Sequence, residues 1–204
     1  MWRRDVWRRD MAARWAPAGG RLRRAWPEVT PQAEAPRRLQ IRPAVPGDAS
    51  QLVELAAAIA SEAEGWLLAD SSWRSAGEER RYIRALAKHP DAALLVAVAG
   101  DALVGRLSIT RDPHPSSAHV ADLGLMVAGP FRRVGIGSAL MAAAEAWARG
   151  AGVTKLELHV FPHNEPALAL YEKLGYKQEG FRKRHYCRPG GQFVDAILMA
   201  KLLD

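Results

Sequence analysis

One segment of the chain combines residue types that suit the binding of phosphate. A strand-like apolar stretch ends in a Gly-Pro turn, and Arg132, Gly135 and Gly137 follow before a long Ala-rich segment. Glycines let consecutive backbone N–H groups converge on an anion, because no side chain covers them. A helix that starts here adds its unpaired first-turn donors and the positive end of its dipole. The segment therefore predicts an anion-binding loop at a helix start.

Several interpretations of this loop compete, including an ordinary strand–turn–helix connection that binds nothing. A Walker loop requires a lysine after its last glycine, and none is present. A dinucleotide-binding fingerprint requires a third Gly or Ala three places after Gly137, where Leu140 stands instead. A third interpretation, a loop that begins with Arg132 and holds another phosphate ligand, stays open at this point.

A second group of residues follows the alternating, strand-like stretch Leu156–Val160. Asn164 suits a helix N-cap, Pro166 suits the first turn, and Gly175 suits the left-handed position after the last turn. Helical spacing places Tyr171 on one face with apolar neighbours. From this pattern alone, Tyr171 is either a core residue or a residue whose hydroxyl takes part in chemistry.

Together the two segments resemble the hallmarks of the GNAT (GCN5-related) N-acetyltransferase superfamily, over roughly residues 39–203. The resemblance implies the acyl-CoA N-acyltransferase fold of class α/β. That fold is a mixed, mostly antiparallel central sheet with flanking helices and splayed central strands, and the pantetheine arm of the cofactor lies in the gap. The residues that carry the resemblance are Arg132, Gly135, Gly137, Asn164, Ala167, Leu170, Tyr171, Gly175 and Tyr176.

The resemblance implies an enzyme that transfers acetyl directly from acetyl-CoA to a primary amine, at a protein N-terminus or on a small molecule, without a metal. Tyr171 matches the usual general acid, because a phenol of pKa about 10 is still protonated at neutral pH. Backbone near Met126 and Val127 would stabilise the oxyanion. The cosubstrate contacts implied by the resemblance are Met126, Val127, Arg132, Arg133, Val134, Gly135, Ile136, Gly137, Ser138 and Asn164.

The general base is less clearly marked. An alkyl amine of pKa about 10 is neutral in only about one molecule per thousand at pH 7, so its proton must be removed. Asp122 falls where many relatives carry an acidic residue on the central strand, and we predict that it relays the proton through water. His119 and His159 are rivals, because the ordinary pKa of histidine lies closer to neutrality.

The acceptor is set in this superfamily by variable segments, here Ser61–Gly77, Arg111–Ser117 and Arg182–Gln192. The last segment is basic and suits an acidic peptide, a phosphate or tRNA, or else is simply solvated. Protein N-termini, small amines and aminoacyl-tRNA therefore stay open. A non-catalytic acyl-CoA-binding or nucleic-acid- or ribosome-associated protein on the same scaffold is the alternative function, and the presence of Tyr171 argues against it.

The elements that must position these residues alternate between strands and helices, which predicts one layered α/β fold. Gly100-Asp101 marks a hairpin turn. The predicted strands are 39–44, 92–99, 102–110, 118–128, 154–161, 176–181 and 193–201. The predicted helices are one that carries Leu52, Leu55 and Ile59, then 78–89, 135–149, and the helix of Tyr171.

The 204 residues suffice for one domain, which we place at 39–204. Residues 1–38 hold ten arginines against four acidic residues, so they carry most of the formal net charge of +7, and they also hold four tryptophans. We predict that they form a disordered basic extension. Nucleic acid or an anionic membrane surface would bind only through this extension. A translation start assigned too early, with Met11 as the alternative, would also explain why these basic residues precede the domain.

Two further features bear on location. The single cysteine, Cys187, excludes an internal disulfide and fits a reducing compartment. No apolar run approaches membrane-spanning length, and the first residues lack the apolar core of a signal peptide. We therefore expect a cytoplasmic enzyme without a membrane span, and the sequence leaves a homodimer open.

Overall fold

The computed structural model describes residues 39–67, 74–188 and 190–203. The predicted basic extension, residues 1–38, lies outside this description. So do residues 68–73, which belong to the predicted irregular segment after the first helix. The predictions for these residues stay predictions.

Seven strands of the described part form one sheet, in the order β1-β2-β3-β4-β5-β7-β6. Neighbouring strands are antiparallel except for β4 and β5, which run parallel. This arrangement confirms the predicted α/β class with a mixed, mostly antiparallel sheet. The strands are β1 (Leu39–Pro43), β2 (Ala92–Ala99), β3 (Ala102–Arg111), β4 (Val120–Val127), β5 (Lys155–Val160), β6 (Lys177–Cys187) and β7 (Phe193–Leu202).

Four α-helices within the described residues flank the sheet: α1 (Ala49–Ala60), α2 (Ala76–Leu86), α3 (Ile136–Gly150) and α4 (Glu165–Lys173). Helix α2 begins two residues before the predicted start because Ser75 and Glu78 form a capping box. The Ser75 hydroxyl accepts from the Glu78 N–H at 3.3 Å, and the Glu78 carboxylate accepts from the Ser75 N–H at 2.9 Å.

Each face of the sheet has its own core, because the side chains of a strand alternate between the two faces. Helices α3 and α4 cover one core, which includes Leu107, Leu140 and Leu156. Helices α1 and α2 cover the other, which includes Leu55 and Val96. The first turn of α3 lies beside the end of β4, since a Cβ on Gly137 would lie 3.7 Å from Leu125 and 4.0 Å from Val127.

Strands β4 and β5 separate halfway along β4. Their register pairs run only from Val120–Lys155 to Leu123–Leu158, although β4 continues to Val127. On the other side, the Ala128 N–H donates to the Val104 carbonyl at 2.9 Å, and the β3–β4 ladder continues from there. Because antiparallel pairs alternate, Met126 directs its backbone groups toward β3, whereas Leu125 and Val127 direct theirs into the gap. The predicted splay is thus present, with an open strand edge.

The predicted loop Arg182–Gln192 is wrong in its first half, because β6 continues to Cys187. The strand absorbs an irregularity between Arg182 and Tyr186, where Arg184 has a positive φ of 49°. The Arg184 N–H donates to the Asp195 carboxylate at 2.6 Å, which ties the irregular point to β7. The basic residues therefore lie mostly on a strand of the sheet.

Candidate active site

A cavity of about 720 Å³ opens where β4 and β5 separate. Its walls come from the end of β4, the loop before α3, the first turn of α3, helix α4, and parts of β5 and β6. Of the predicted site residues it brings together Asp122, Met126, Val127, Arg132, Arg133, Gly135, Gly137, Ser138, Asn164 and Tyr171.

The loop before α3 has a left-handed backbone at two places, Arg133 with φ 65° and Gly135 with φ 92°. Gly135 is the N-cap of α3, and the N–H groups of the first turn have no acceptor within the helix. Val134 is exposed and Ile136 is buried in the core, so neither side chain lines the cavity. Val134 and Ile136 can therefore contact an anion only through their backbone N–H groups.

The Arg132 side chain forms hydrogen bonds with other residues of the protein. Its Nε donates to the Val127 carbonyl at 3.0 Å, and its Nη2 lies 2.8 Å from both carboxylate oxygens of Glu62. Glu62 follows α1 and lies 70 residues away in sequence, so no local pattern predicts this contact.

Helix α4 starts as its sequence predicts. The Asn164 side chain accepts from the Ala167 N–H at 3.2 Å and also lines the cavity. About two turns later, Tyr171 lines the cavity while only 6% of its surface is exposed. Burial raises the pKa of the Tyr171 phenol above its usual value, so the hydroxyl keeps its proton at neutral pH.

Asp122 lies on β4 before the strands separate and opens on the same cavity. Burial is the larger cause, and Glu157 the second, of a pKa raised to about 6, against opposing effects of the Leu123 N–H and Arg182. Asp122 is exposed on the side that faces the cavity, and protein atoms surround it on its other sides. Asp122 is therefore a stronger base than an ordinary carboxylate but still ionises near neutral pH.

The two histidine rivals occupy different places. His159 lines the cavity, and its Nδ1 lies 2.8 Å from the Tyr186 hydroxyl. Burial first, then Arg182 and His185, lower its pKa to about 4, so the ring is neutral at neutral pH and is a weak base. His119 is exposed before β4 and does not line the cavity. Of the three candidates, Asp122 has the position and the pKa that suit a base.

One wall of the cavity includes Trp66 and is held by Arg188, residues of two segments predicted to set the acceptor, but the contacts that join them were not predicted from sequence. Trp66 stacks on His163 with ring centroids 6.1 Å apart, and His163 stacks on Phe161 at 5.5 Å. Arg188 donates to the Gly65 carbonyl at 2.6 Å and holds the same wall from the end of β6. These residues come from three distant parts of the chain. Of the three segments expected to set the acceptor, Arg111–Ser117 does not line the cavity.

The geometry agrees with the comparisons with known proteins. Residues 50–176 match the acetyltransferase (GNAT) family. The chain belongs to this family. It is an acetyl-CoA-dependent N-acetyltransferase, as the resemblance implied.

Two similar proteins indicate how far the likeness extends. The L-amino acid N-acetyltransferase AaaT of Escherichia coli (strain K12) is 37% identical over 121 residues, which are 57% of this chain and 72% of that protein. The solved acetyltransferase of GNAT family from Streptococcus pneumoniae is 29% identical with a TM-score of 0.73, over 81% of this chain and all of that one.

A more distant structure shows the same fold. The phosphinothricin acetyltransferase from Sinorhizobium meliloti, solved in complex with acetyl-CoA, has a TM-score of 0.70 at 17% identity, over 81% of this chain and 88% of that one.

Within residues 39–203, apart from the undescribed positions, no helix is long and apolar enough to cross a membrane.

Proposed function

We propose that this enzyme acetylates the α-amino group of a small amino-acid-like acceptor by direct attack on acetyl-CoA. The observation that carries the reaction is the placement of a carboxylate of raised pKa, Asp122, and a buried phenol, Tyr171, on the walls of one cavity at the gap between β4 and β5. The similarity to an L-amino acid N-acetyltransferase supports the class of acceptor.

The cosubstrate side rests on backbone geometry. The open edge of β4 offers the Val127 N–H to the pantetheine arm, while the Val127 carbonyl already accepts from Arg132. The N–H groups of residues 133–138 take the pyrophosphate at the helix start, whereas the Arg132 N–H donates to the Gly129 carbonyl. The Leu125 N–H, which also points into the gap and lies nearer Asp122 along the strand, is the proposed oxyanion donor in place of Met126, because the Met126 backbone faces β3.

The reaction needs two proton transfers. Asp122 accepts the proton of the acceptor ammonium, directly or through water, and the free amine attacks the thioester carbonyl. As the tetrahedral intermediate collapses, the C–S bond breaks and the Tyr171 hydroxyl protonates the thiolate of CoA. The raised pKa values of both groups suit these roles, since Asp122 becomes a stronger base and Tyr171 keeps its proton until the thiolate forms.

The charges around the cavity favour an α-amine over a lysine side chain. An α-ammonium group is a stronger acid than an alkylammonium of pKa about 10, so Asp122 removes its proton more easily. Arg182 lies on β6 close enough to lower the pKa of both Asp122 and His159. If Arg182 binds the α-carboxylate of a free amino acid, its positive charge offsets that carboxylate, which then stabilises the neighbouring ammonium group less. The pKa of the ammonium group falls, and its proton is removed more easily.

The test is release of free CoA thiol from acetyl-CoA across matched acceptors: free L-amino acids, their amides, short peptides with free N-termini, and alkyl diamines. We expect free amino acids to give the highest kcat/KM and the amides to lose much of it. Arg182→Gln should remove the preference for the free acid. Measured well above pH 6, where Asp122 is ionised with or without Arg182, the amides should react as before. Faster turnover of peptides would instead indicate protein N-termini, and no turnover of any amine would contradict catalysis.

The acceptor panel does not test the following expectations. A cytoplasmic location, a homodimer and contact with nucleic acid through residues 1–38 remain predictions. The contribution of Asn164 to acetyl-CoA binding is also a proposal, supported by the position of its side chain at the cavity beside the start of α4.

A further inference from the structure

The two adjacent arginines of the loop before α3 have different surroundings. The Arg132 side chain is partly buried and bonded to Val127 and Glu62. Arg133 is exposed, lines the cavity, and makes no hydrogen bond or ion pair with the residues that the structure describes. Its left-handed backbone, with φ 65°, turns the chain between the two side chains.

Glu62 occupies a place shaped for its carboxylate. A Cβ at Gly129 would lie 3.3 Å from the nearer oxygen of Glu62, so glycine at this turn makes room for the ion pair. The guanidinium of Arg132 then bridges the end of β4 and the residue that follows α1. Lysine cannot make the same bridge, because it has one ammonium group where arginine presents separate donors.

We propose that the two arginines divide the work of the loop: Arg132, held by Glu62, is a positioning residue that sets the loop backbone, and Arg133 is the side chain that meets a phosphate of CoA. The inference rests on the proposed binding of acetyl-CoA at this loop. It differs from the motif, which marks the first arginine only.

The division has a physical basis. A guanidinium already shared with a carboxylate has part of its charge compensated and gains less from a second anion. A guanidinium without an acidic partner keeps its full charge for the ligand, and its contribution depends strongly on salt because the site is open to water. Arg132 acts instead by keeping the N–H groups of the loop pointed at the anion, which salt affects little.

Calorimetric titration of the full-length protein with CoA, at low and high salt, separates the two roles. We expect Arg133→Ala to weaken binding about tenfold at low salt, the magnitude for loss of one charge-assisted contact, and to flatten the salt dependence. Arg132→Ala should weaken binding while the salt dependence stays, because the loop loses its bridge but no cation that meets the phosphate. Glu62→Gln also loses the bridge but leaves the Arg132 cation without its partner, so it should weaken binding less and steepen the salt dependence. Arg149→Ala, which removes an exposed arginine on the far part of α3, is the control for charge alone.

Double variants test the pairing. Glu62→Gln combined with Arg132→Ala should be no worse than the more damaging single change, whereas Glu62→Gln and Arg133→Ala should add. Wild-type affinity in Glu62→Gln, with a flattened salt dependence in Arg132→Ala, would overturn the division and place Arg132 on the anion. No binding of CoA by the wild-type protein would instead contradict the proposed function, so the two failures are distinguishable.

Discussion

Asp122 and Glu157 are register partners on the parallel strands β4 and β5, so two carboxylates lie side by side on one face of the sheet. The negative charge of Glu157 is one cause of the pKa of Asp122 being raised to about 6, after burial. A like charge disfavours ionisation of its neighbour, and here it makes Asp122 a better base. Glu157 does not line the cavity, so it acts on the reaction only through Asp122.

The pH dependence of kcat/KM tests this pair. Because Asp122 must be ionised to accept a proton, kcat/KM should rise with pH through an apparent pKa of about 6, the pKa of Asp122 in the enzyme without substrates. Asp122→Asn should remove this limb and lower kcat by about 10²–10⁴-fold. Glu157→Gln should keep activity but move the limb to lower pH, and an unmoved limb would exclude the pair as its cause.

The raised pKa of Asp122 also affects the free energy of unfolding, in the opposite direction to an aspartate whose pKa is lowered by an ion pair. The pKa of Asp122 is raised above its unfolded value, so protonation favours the folded state. Its contribution is fully present below the unfolded pKa of about 4 and is lost as pH rises through about 6. Asp122→Asn should therefore be no less stable than wild type at pH 7 in chemical denaturation.

Tyr171→Phe tests the general acid. The change removes one hydroxyl and leaves the ring in its buried place, so the fold and the affinity for acetyl-CoA should persist. We expect kcat to fall by about 10²–10⁴-fold. An unchanged kcat, with the acetyl-transfer step shown to be rate-limiting, would leave Tyr171 as a core residue only.

Ser138→Asp tests the anion site without disturbing the fold. Ser138 lies in the first turn of α3 and lines the cavity. An aspartate there favours the helix through its dipole but repels a pyrophosphate. We expect calorimetry to show binding of CoA lost and the melting temperature retained, while the neutral Ser138→Asn binds nearly as well. The glycines of the loop make poorer tests, because Gly135 has φ 92° and a Cβ on Gly137 would lie 3.0 Å from Leu170.

Gly105→Ala tests how closely α3 lies on the sheet. A Cβ on Gly105 would lie 2.9 Å from a terminal methyl of Leu140 and 3.2 Å from the Ala97 Cβ, so the Leu140 side chain must turn or the helix must shift. We expect unfolding free energy to fall by about 1–3 kcal/mol, the usual cost of overpacking. Gly150→Ala, at the exposed end of the same helix with no atom within 4 Å of the new Cβ, should be neutral or slightly stabilising.

Deletion of residues 1–38 tests the proposed domain boundary. The described sheet begins at Leu39, and the family match begins at residue 50. We expect the shortened chain to bind acetyl-CoA and to turn over acceptors as the full chain does. Loss of folding or of turnover would make the extension part of the transferase domain. Salt-sensitive RNA binding by the full chain alone would support a nucleic-acid contact through it.

Local signals in the sequence were sufficient for most of the secondary structure and for the reaction class. The Gly100-Asp101 hairpin, the glycine loop before α3 and the Asn164 cap are each fixed by the conformations that a few neighbouring residues allow. The last hairpin was the main error, because continuation of β6 beyond Phe181 depends on pairing with β7. A basic stretch by itself does not reveal that pairing.

The site depended on contacts between distant residues, which only the tertiary structure decides. The resemblance favoured Asp122 over His119 and His159, but no sequence pattern shows that Asp122 opens on the cavity, that His119 does not, or that Glu157 lies beside Asp122 as its register partner. Likewise the motif names Arg132 without its partner, which lies 70 residues earlier on another element. The sequence by itself determined the loop, the helix and the chemistry they suit. The fold determined which charges meet, because burial and charge pairing act through space and not along the chain.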